Sequence, residues 1–181
     1  DFMKKRLPNA DVNNVAGLGH SHPKVADAAN RQLRTLGTNS RFLFRDLADY
    51  SERLLALMPE GSGFDTVLLV NSGSEAVDLA IRLAQAATGR RTVVSLREAY
   101  HGWTMASDAV TTSAYDNPSA LATRPDWVHV ADVPNRFRGT YRGDDTTVRY
   151  LADLADDIED LQRDDRQVAA FLCESILGNA G

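Results

Sequence analysis

Asp65-Thr66-Val67-Leu68-Leu69-Val70-Asn71-Ser72-Gly73-Ser74-Glu75-Ala76 is the stretch on which the fold of this chain turns. Its first six residues form a short apolar run with β-branched members between turn formers, the pattern of a buried strand. From Val77 to Thr88 apolar residues recur at helical spacing, and Gly89 stops them. A glycine-containing turn that opens a helix directly after a strand gathers free backbone N–H groups at the positive end of the helix dipole. Ser72 and Ser74 add hydroxyl donors, so the turn is a seat for a phosphate or another dianion. Strand-turn-helix joints of this composition also occur without any ligand. Two familiar phosphate motifs are excluded. A Walker A loop needs Gly-Lys-Ser/Thr, and no lysine lies near this turn. A dinucleotide fingerprint needs three spaced glycines, and the turn holds Gly73 alone. The earlier Gly17-Leu18-Gly19-His20-Ser21-His22 lacks the third glycine and a convincing strand before it.

Outward from the turn, Thr92–Leu96 reads as a second strand, followed by Arg97-Glu98-Ala99-Tyr100-His101-Gly102-Trp103-Thr104. Consecutive strands joined by a helix run parallel, which brings Tyr100 out at the same carboxyl edge as Ser72 to Ser74. A phosphate seat beside a flat aromatic suits a flat phosphorylated heterocycle with Tyr100 stacked on its face. Pyridoxal phosphate has that shape.

The remaining pattern is that of an α/β protein. His22 to Leu36 reads as a helix with Pro23 in its first turn, and Arg45 to Met58 as another. Val128 to Val130 is a short strand, and Val168 to Cys173 a further one. Thr147 to Gln162 reads as a surface helix with Val148, Leu151, Leu154, Ile158 and Leu161 on its inner face. Between them, the Arg/Gly-rich stretch 134–145 is a long loop, either a solvated connection or part of an active site or dimer contact.

Composition narrows the classes. A chain of 181 residues, 43% hydrophobic, can bury one sizeable α/β core. A net charge of −5 without a basic face argues against nucleic acid. No apolar run approaches a membrane span, and the pattern suits the cytoplasm. The single Cys173 lies in an apolar run and is expected to be a buried thiol. His20 and His22 suggest capping or packing rather than zinc, since no second ligand cluster accompanies them. Ser72 and Ser74 lack the G-x-S-x-G elbow of a nucleophile. Asp156-Asp157 and Asp164-Asp165 read as solvated charge.

Taken together, Asn71-Ser72-Gly73-Ser74-Glu75-Ala76 and Tyr100-His101-Gly102 resemble the class III aminotransferases of pyridoxal-phosphate fold type I. Gly17 to Pro23 resembles the family's Gly-His-x-His-Pro step, and Asn39-Ser40-Arg41 the segment after the next helix. Glu174 to Gly181 resembles the Glu-Pro-x-x-Gly block. Pro134-Asn135-Arg136-Phe137-Arg138-Gly139 is similar to a loop of alanine–glyoxylate-type aminotransferases and their amino-alcohol-phosphate phospho-lyase relatives. The resemblance implies a three-layer α/β/α large domain, here partial, over residues 61–181, with residues 1–60 as a helical lead-in. It implies that Ser72, Gly73 and Ser74 bind the phosphate of pyridoxal 5'-phosphate. Tyr100 would stack on the ring, His101 and Gly102 would shape the turn that presents it, and Glu174 would stand behind it. Phe44 and Arg41 would line the substrate side or the subunit boundary. Three departures stand out: Val77 where many relatives carry Asn, Ser175 for Pro, and Asn179 where ornithine- and aminobutyrate-type enzymes carry Glu.

Lysine occurs only at Lys4, Lys5 and Lys24, all before the phosphate turn. Pyridoxal chemistry needs a lysine to carry the cofactor and an acid on the ring nitrogen, and the family carries both after the Glu-Pro-x-x-Gly block. The chain is therefore expected to be an internal piece of a longer enzyme, inactive alone and without a catalytic residue of its own. The expected reaction moves an amino group from an amine or amino acid to a 2-oxo acid in a homodimer. A phospho-lyase acting on an amino-alcohol phosphate, or a non-catalytic cofactor-binding or dimerisation relic, are the alternatives.

Overall fold

The computed structural model describes residues 17–37 and 42–178. The chain divides into two compact units, with the boundary between Val67 and Leu68. The first carries α1 (Pro23–Thr35) and α2 (Arg45–Leu55). Pro23 opens α1, where its missing N–H is no loss, and His22 caps the helix through its carbonyl, which accepts from Val25 N and Ala26 N at 3.0 Å. The His22 imidazole makes no cap. Helix α2 stops short of the expected Met58, because the chain tightens there: Leu57 N and Met58 N bond three residues back, at 3.1 and 3.0 Å.

The second unit contains α3 (Gly73–Thr88), β1 (Thr92–Leu96), α4 (Met105–Val110), β2 (Val128–Ala131), α5 (Thr146–Arg163) and β3 (Val168–Leu172). The strands form a parallel sheet in the order β2-β1-β3, with Val93 opposite Val128 and Ala170. All five residues of β1 are buried, which explains a run without polar alternation. Val94 and Leu96 point into a core completed by Ala131, Val133 and Leu161 of α5. Val93 points the other way, to Ile81 of α3 and Val110 of α4. Complete burial of Val93 and Val94 contributes about 1.5–3 kcal/mol each. The result is the expected α/β layering, with α3 and α4 on one face of the sheet and α5 on the other. Gly89, left-handed at φ 67°, ends α3 so that β1 can start three residues later.

Four expectations need correction. Asp65–Val70 is not a strand: it forms no ladder among the described residues, and Leu68, Leu69 and Val70 are exposed. Apolar, β-branched composition favours a strand only where a neighbour satisfies its backbone, and none of the three strands among the described residues pairs with this stretch. The inner face of α5 is rotated from the expected one. Tyr150 and Leu161 are buried while Val148 and Leu151 are exposed, because Tyr150 turns its hydroxyl inward to accept from Tyr141 N at 3.3 Å. Cys173 is exposed, lying just past the end of β3, which is an edge strand among the described residues. Asp157 is not simply solvated, since its Oδ2 lies 3.3 Å from His129 Nε2.

The stretch 134–145 is anchored rather than loose. Asn135 is buried, its side chain accepts from Phe137 N and Arg138 N at 2.9 and 2.8 Å, and Gly139 N returns to its carbonyl. A Cβ at Gly139 would stand 2.2 Å from both Asn135 O and the Tyr150 hydroxyl, so the turn accepts only glycine there.

Candidate functional site

The site is built where α3 begins and β1 ends. Ser72 caps α3: its Oγ accepts from Glu75 N at 3.1 Å, and Glu75 Oε2 reaches back to Asn71 N at 2.6 Å. These two bonds close the turn as a capping arrangement does. They leave the N–H groups of Gly73 and Ser74 without a partner among the described residues. Sixteen residues of helix stand behind those donors, and a Cβ at Gly73 would meet nothing within 4 Å. Open space, unpaired N–H groups and a helix N-terminus in one place accept an anion.

The strap that leaves β1 has no strand beside it, so its backbone must find other partners. All six amides from Ala99 to Thr104 donate to side-chain oxygens. Ala99 N donates to Thr112 Oγ1 at 2.8 Å and Tyr100 N to Glu174 Oε1 at 2.9 Å. His101 N and Gly102 N share Thr111 Oγ1 at 2.9 and 3.2 Å. Trp103 N donates to Ser74 Oγ at 3.1 Å, and Thr104 N to Ser107 Oγ at 3.0 Å. The Ser74 bond joins the anion seat to the aromatic strap. Tyr100 and Trp103 stand edge to face with centroids 5.9 Å apart.

Gly102 is where strap and helix come closest. Its φ is 140°, and a Cβ would stand 2.5 Å from Ser74 Oγ and 2.6 Å from Ser107 Oγ. Any other residue would push the strap off α3. Glu174 ties the third element in: Oε1 holds Tyr100 N while Oε2 accepts from Gly178 N at 2.8 Å. Burial holds the His101 imidazole below its ordinary pKa, partly opposed by the Glu174 charge. It is therefore neutral near pH 7, and its Nε2 is buried without a partner among the described residues.

Of the residues singled out from sequence, Ser72, Gly73, Ser74, Tyr100, His101, Gly102 and Glu174 fall in this one constellation. Phe44 lies in the other unit, where its carbonyl accepts from Leu47 N as α2 begins. Arg41, Asn39, Ser40 and Asn179 lie outside the described residues. Thr111 and Thr112, buried at 1% and 2% exposure, were not foreseen. Their signal was a hydroxyl-rich run, Thr111-Thr112-Ser113, close enough in sequence to fold back on the strap.

Comparison with known proteins gives this constellation its context. The model of the family described as Aminotransferase class-III matches residues 12–181. The chain is 36% identical to Ethanolamine-phosphate phospho-lyase homolog 1 of Caenorhabditis elegans, over 94% of this chain and 38% of that protein. It is 37% identical to Alanine–glyoxylate aminotransferase 2-like of Drosophila melanogaster, over 94% of this chain and 35% of that one. Among solved structures, a phospholyase from Arthrobacter in complex with phosphoethanolamine superposes with a TM-score of 0.71 at 31% identity, covering 88% of this chain and 36% of that one. A taurine:2-oxoglutarate aminotransferase from Bifidobacterium kashiwanohense, in complex with PLP and glutamate, superposes at 0.76 and 26% identity over 89% and 36%. The chain thus spans little more than a third of the length of these relatives. With the family model matched across nearly its whole length, this chain belongs to the class III aminotransferases.

Proposed function

We propose that these residues form part of the cofactor-binding large domain of a pyridoxal-phosphate-dependent aminotransferase, which moves an amino group from an amine or amino acid to a 2-oxo acid. The observation that carries the proposal is the 3.1 Å bond from Trp103 N to Ser74 Oγ, which puts anion seat and aromatic strap at one place. The residues suit pyridoxal 5'-phosphate. Open donors at Gly73 and Ser74, with the Ser72 hydroxyl, fit its phosphate, and the buried, unpaired His101 Nε2 marks a polar position that a ligand or water would satisfy. Bound there, the cofactor would supply the electron sink that makes the C–H beside the substrate amine acidic.

In this proposal the chain's own residues bind and orient. Ser72, Gly73 and Ser74 hold the phosphate, and Tyr100 covers the ring. His101 and Gly102 shape the turn, and Glu174 fixes the Tyr100 backbone. Domain limits of 1–60 for the lead-in and 61–181 for the large domain belong to the same proposal, as do roles for Phe44 and Arg41 on the substrate side. A homodimer is supported by the exposed Trp103, Met105 and Ile176 around the site, apolar surface that a second subunit would cover. No helix among the described residues is long and apolar enough to cross a membrane. A cytoplasmic location belongs to the same proposal.

Phospho-lyase chemistry is the second reading, favoured by the likeness to the Caenorhabditis elegans and Arthrobacter proteins. Supplying the intact protein with phosphoethanolamine, and separately with an amine and pyruvate, distinguishes the two. Amino transfer that depends on the keto acid is expected. Phosphate release without a keto acid would replace the aminotransferase reading with the second one. Borohydride treatment that fixes the cofactor to a lysine excludes a non-catalytic relic, whereas failure to fix it supports one. The 181 residues alone, with lysines only at 4, 5 and 24, are proposed to be inactive in transamination.

A further inference from the structure

Asp78 lies one turn into α3, below the anion seat, and none of the roles above uses it. Its Oδ1 accepts two short bonds from the far side of the strap: Thr104 Oγ1 at 2.7 Å and Ser107 N at 2.7 Å. Thr104 Oγ1 also lies 2.7 Å from Ser107 Oγ, and Ser107 Oγ in turn accepts from Thr104 N. Ser107 N is an amide of the first turn of α4, which has no carbonyl of its own helix to bond. One carboxylate therefore satisfies the start of α4 and fixes the end of the strap to the helix that carries the seat. A charged acceptor makes these bonds roughly twice as strong as neutral ones.

The geometry points to Asp78 as a positioning residue that sets the register between the phosphate seat and the Tyr100 cover. This deepens the cofactor proposal above and rests on it. The strap is held at its near end by Glu174, in its middle by Thr111 and Ser74, and at its far end through Ser107 and Thr104. Only the far-end pair depends on Asp78. Without it, Thr104 and Ser107 keep each other, and only neutral bonds tie this end of the strap to α3: Thr104 Oγ1 to Ser74 O at 3.2 Å and Trp103 N to Ser74 Oγ at 3.1 Å. The seat itself is untouched, since Ser72 and Glu75 close it without help from Asp78.

That separation makes a direct test. Inorganic phosphate needs the seat alone, whereas pyridoxal phosphate needs seat and cover together. Binding of each to the cofactor-free intact protein is titrated for the parent, Asp78→Ala, Asp78→Asn and Thr104→Val. Asp78→Ala is expected to weaken pyridoxal phosphate about tenfold or more and to leave inorganic phosphate within about twofold. Asp78→Asn keeps an acceptor oxygen and is expected to restore most of the loss. Thr104→Val removes the donor to Asp78 together with the 3.2 Å bond to Ser74 O, is expected to reproduce the split at least as strongly, and carries the test if Asp78→Ala does not fold. Equal weakening of both ligands, or no weakening of either, overturns the role of Asp78. A parent protein that binds inorganic phosphate but not pyridoxal phosphate overturns the cofactor proposal instead.

Discussion

The parallel sheet has two edges, and they use polar groups in opposite ways. At the amino edge, a groove of about 870 Å³ is lined by Arg90, Arg91, Arg124 and Arg166, with Asp126 and Asp165 among them. Those arginines are engaged with the protein. Arg90 donates to Val168 O at 3.2 Å, Arg166 to Asp126 O at 2.7 Å, and Arg91 pairs with Asp126 at 3.1 Å. Arg124 donates to Ala109 O and Thr111 O at 3.1 Å each, leaving Nε unpartnered among the described residues. At the carboxyl edge no arginine stands among the seat and strap residues, yet the N–H groups of Gly73 and Ser74 are open. Volume and positive charge favour the amino edge, while unspent donors favour the carboxyl edge. An anion is recognised by donors that nothing else has claimed, so the proposed function places it by the second criterion.

A pair of glycine substitutions should separate the edges most sharply. Gly102→Ala meets Ser74 Oγ and Ser107 Oγ at 2.5 and 2.6 Å on a backbone at φ 140°. Strained backbone costs about 1–3 kcal/mol and overpacking about 1–3 kcal/mol more. Equilibrium urea unfolding of the intact protein should register the sum, together with loss of cofactor binding. Gly89→Ala, beside the amino-edge groove, has φ 67° but open space around the new Cβ. It should cost only the backbone part, about 1–2 kcal/mol, with cofactor affinity retained. Equal effects at the two positions would erase the distinction.

Ser72→Ala comes next in size. It removes the acceptor of Glu75 N, a capping loss of about 1 kcal/mol, and a hydroxyl donor from the proposed phosphate seat. Pyridoxal phosphate affinity, measured by titration, should fall about tenfold, which corresponds to 1.4 kcal/mol. Unchanged affinity would mean that the seat does not face the cofactor.

The legible part of this fold is the part whose signal is local or fully buried. Thr92–Leu96 runs over the residues expected of it, because a strand buried on both faces shows no polar alternation: Val93, Val94 and Leu96 are buried, and the buried Ser95 hydroxyl donates to Val110 O at 2.7 Å. The Ser72 turn and Tyr100 were brought together by the rule that parallel strands deliver their loops to one edge. The strand expected just before the turn does not form, and the junction is made instead by Ser74 and Trp103. Helix α4 leaves no periodic signal in the sequence, because six residues are too few for a period of 3.6 to show. The strap's reliance on side-chain oxygens was equally hidden: a threonine that accepts a backbone bond looks no different in sequence from one in solvent. The inner face of α5 is not legible from its aliphatic spacing, since an aromatic with a polar tip, Tyr150, can displace aliphatic residues from it.

Protonation gives a smaller contrast between the edges. His101 is held below its ordinary pKa of 6.5 by burial, with Glu174 opposing. Between the lowered folded value and about 6.5 the unfolded chain binds a proton that the folded chain does not. This contribution to stability is complete above about 6.5 and is lost as the pH falls through that window. Burial also lowers the pKa of Arg124, but a guanidinium stays charged throughout this range. His101→Gln should flatten the dependence of unfolding free energy on pH just below about 6.5, and Arg124→Gln should not. A slope that survives in His101→Gln would assign it to another group.

The smallest expected effect tests the amino edge directly. Arg91 and Asp126 form an ion pair there, at 3.1 Å, but their side chains are 69% and 77% exposed. Water and salt screen such a pair, and two long side chains must be ordered to make it, so Arg91→Ala should cost less than about 1 kcal/mol. If the groove were an anion site in its own right, losing one of its four arginines would weaken inorganic phosphate binding and make the remainder less salt-dependent. If the arginines serve only to fasten the strand starts, phosphate and pyridoxal phosphate titrations of Arg91→Ala will overlay those of the parent, while Ser72→Ala shifts both. The two titrations side by side decide which edge of the sheet holds the anion, because each substitution removes a donor from one edge and leaves the other intact.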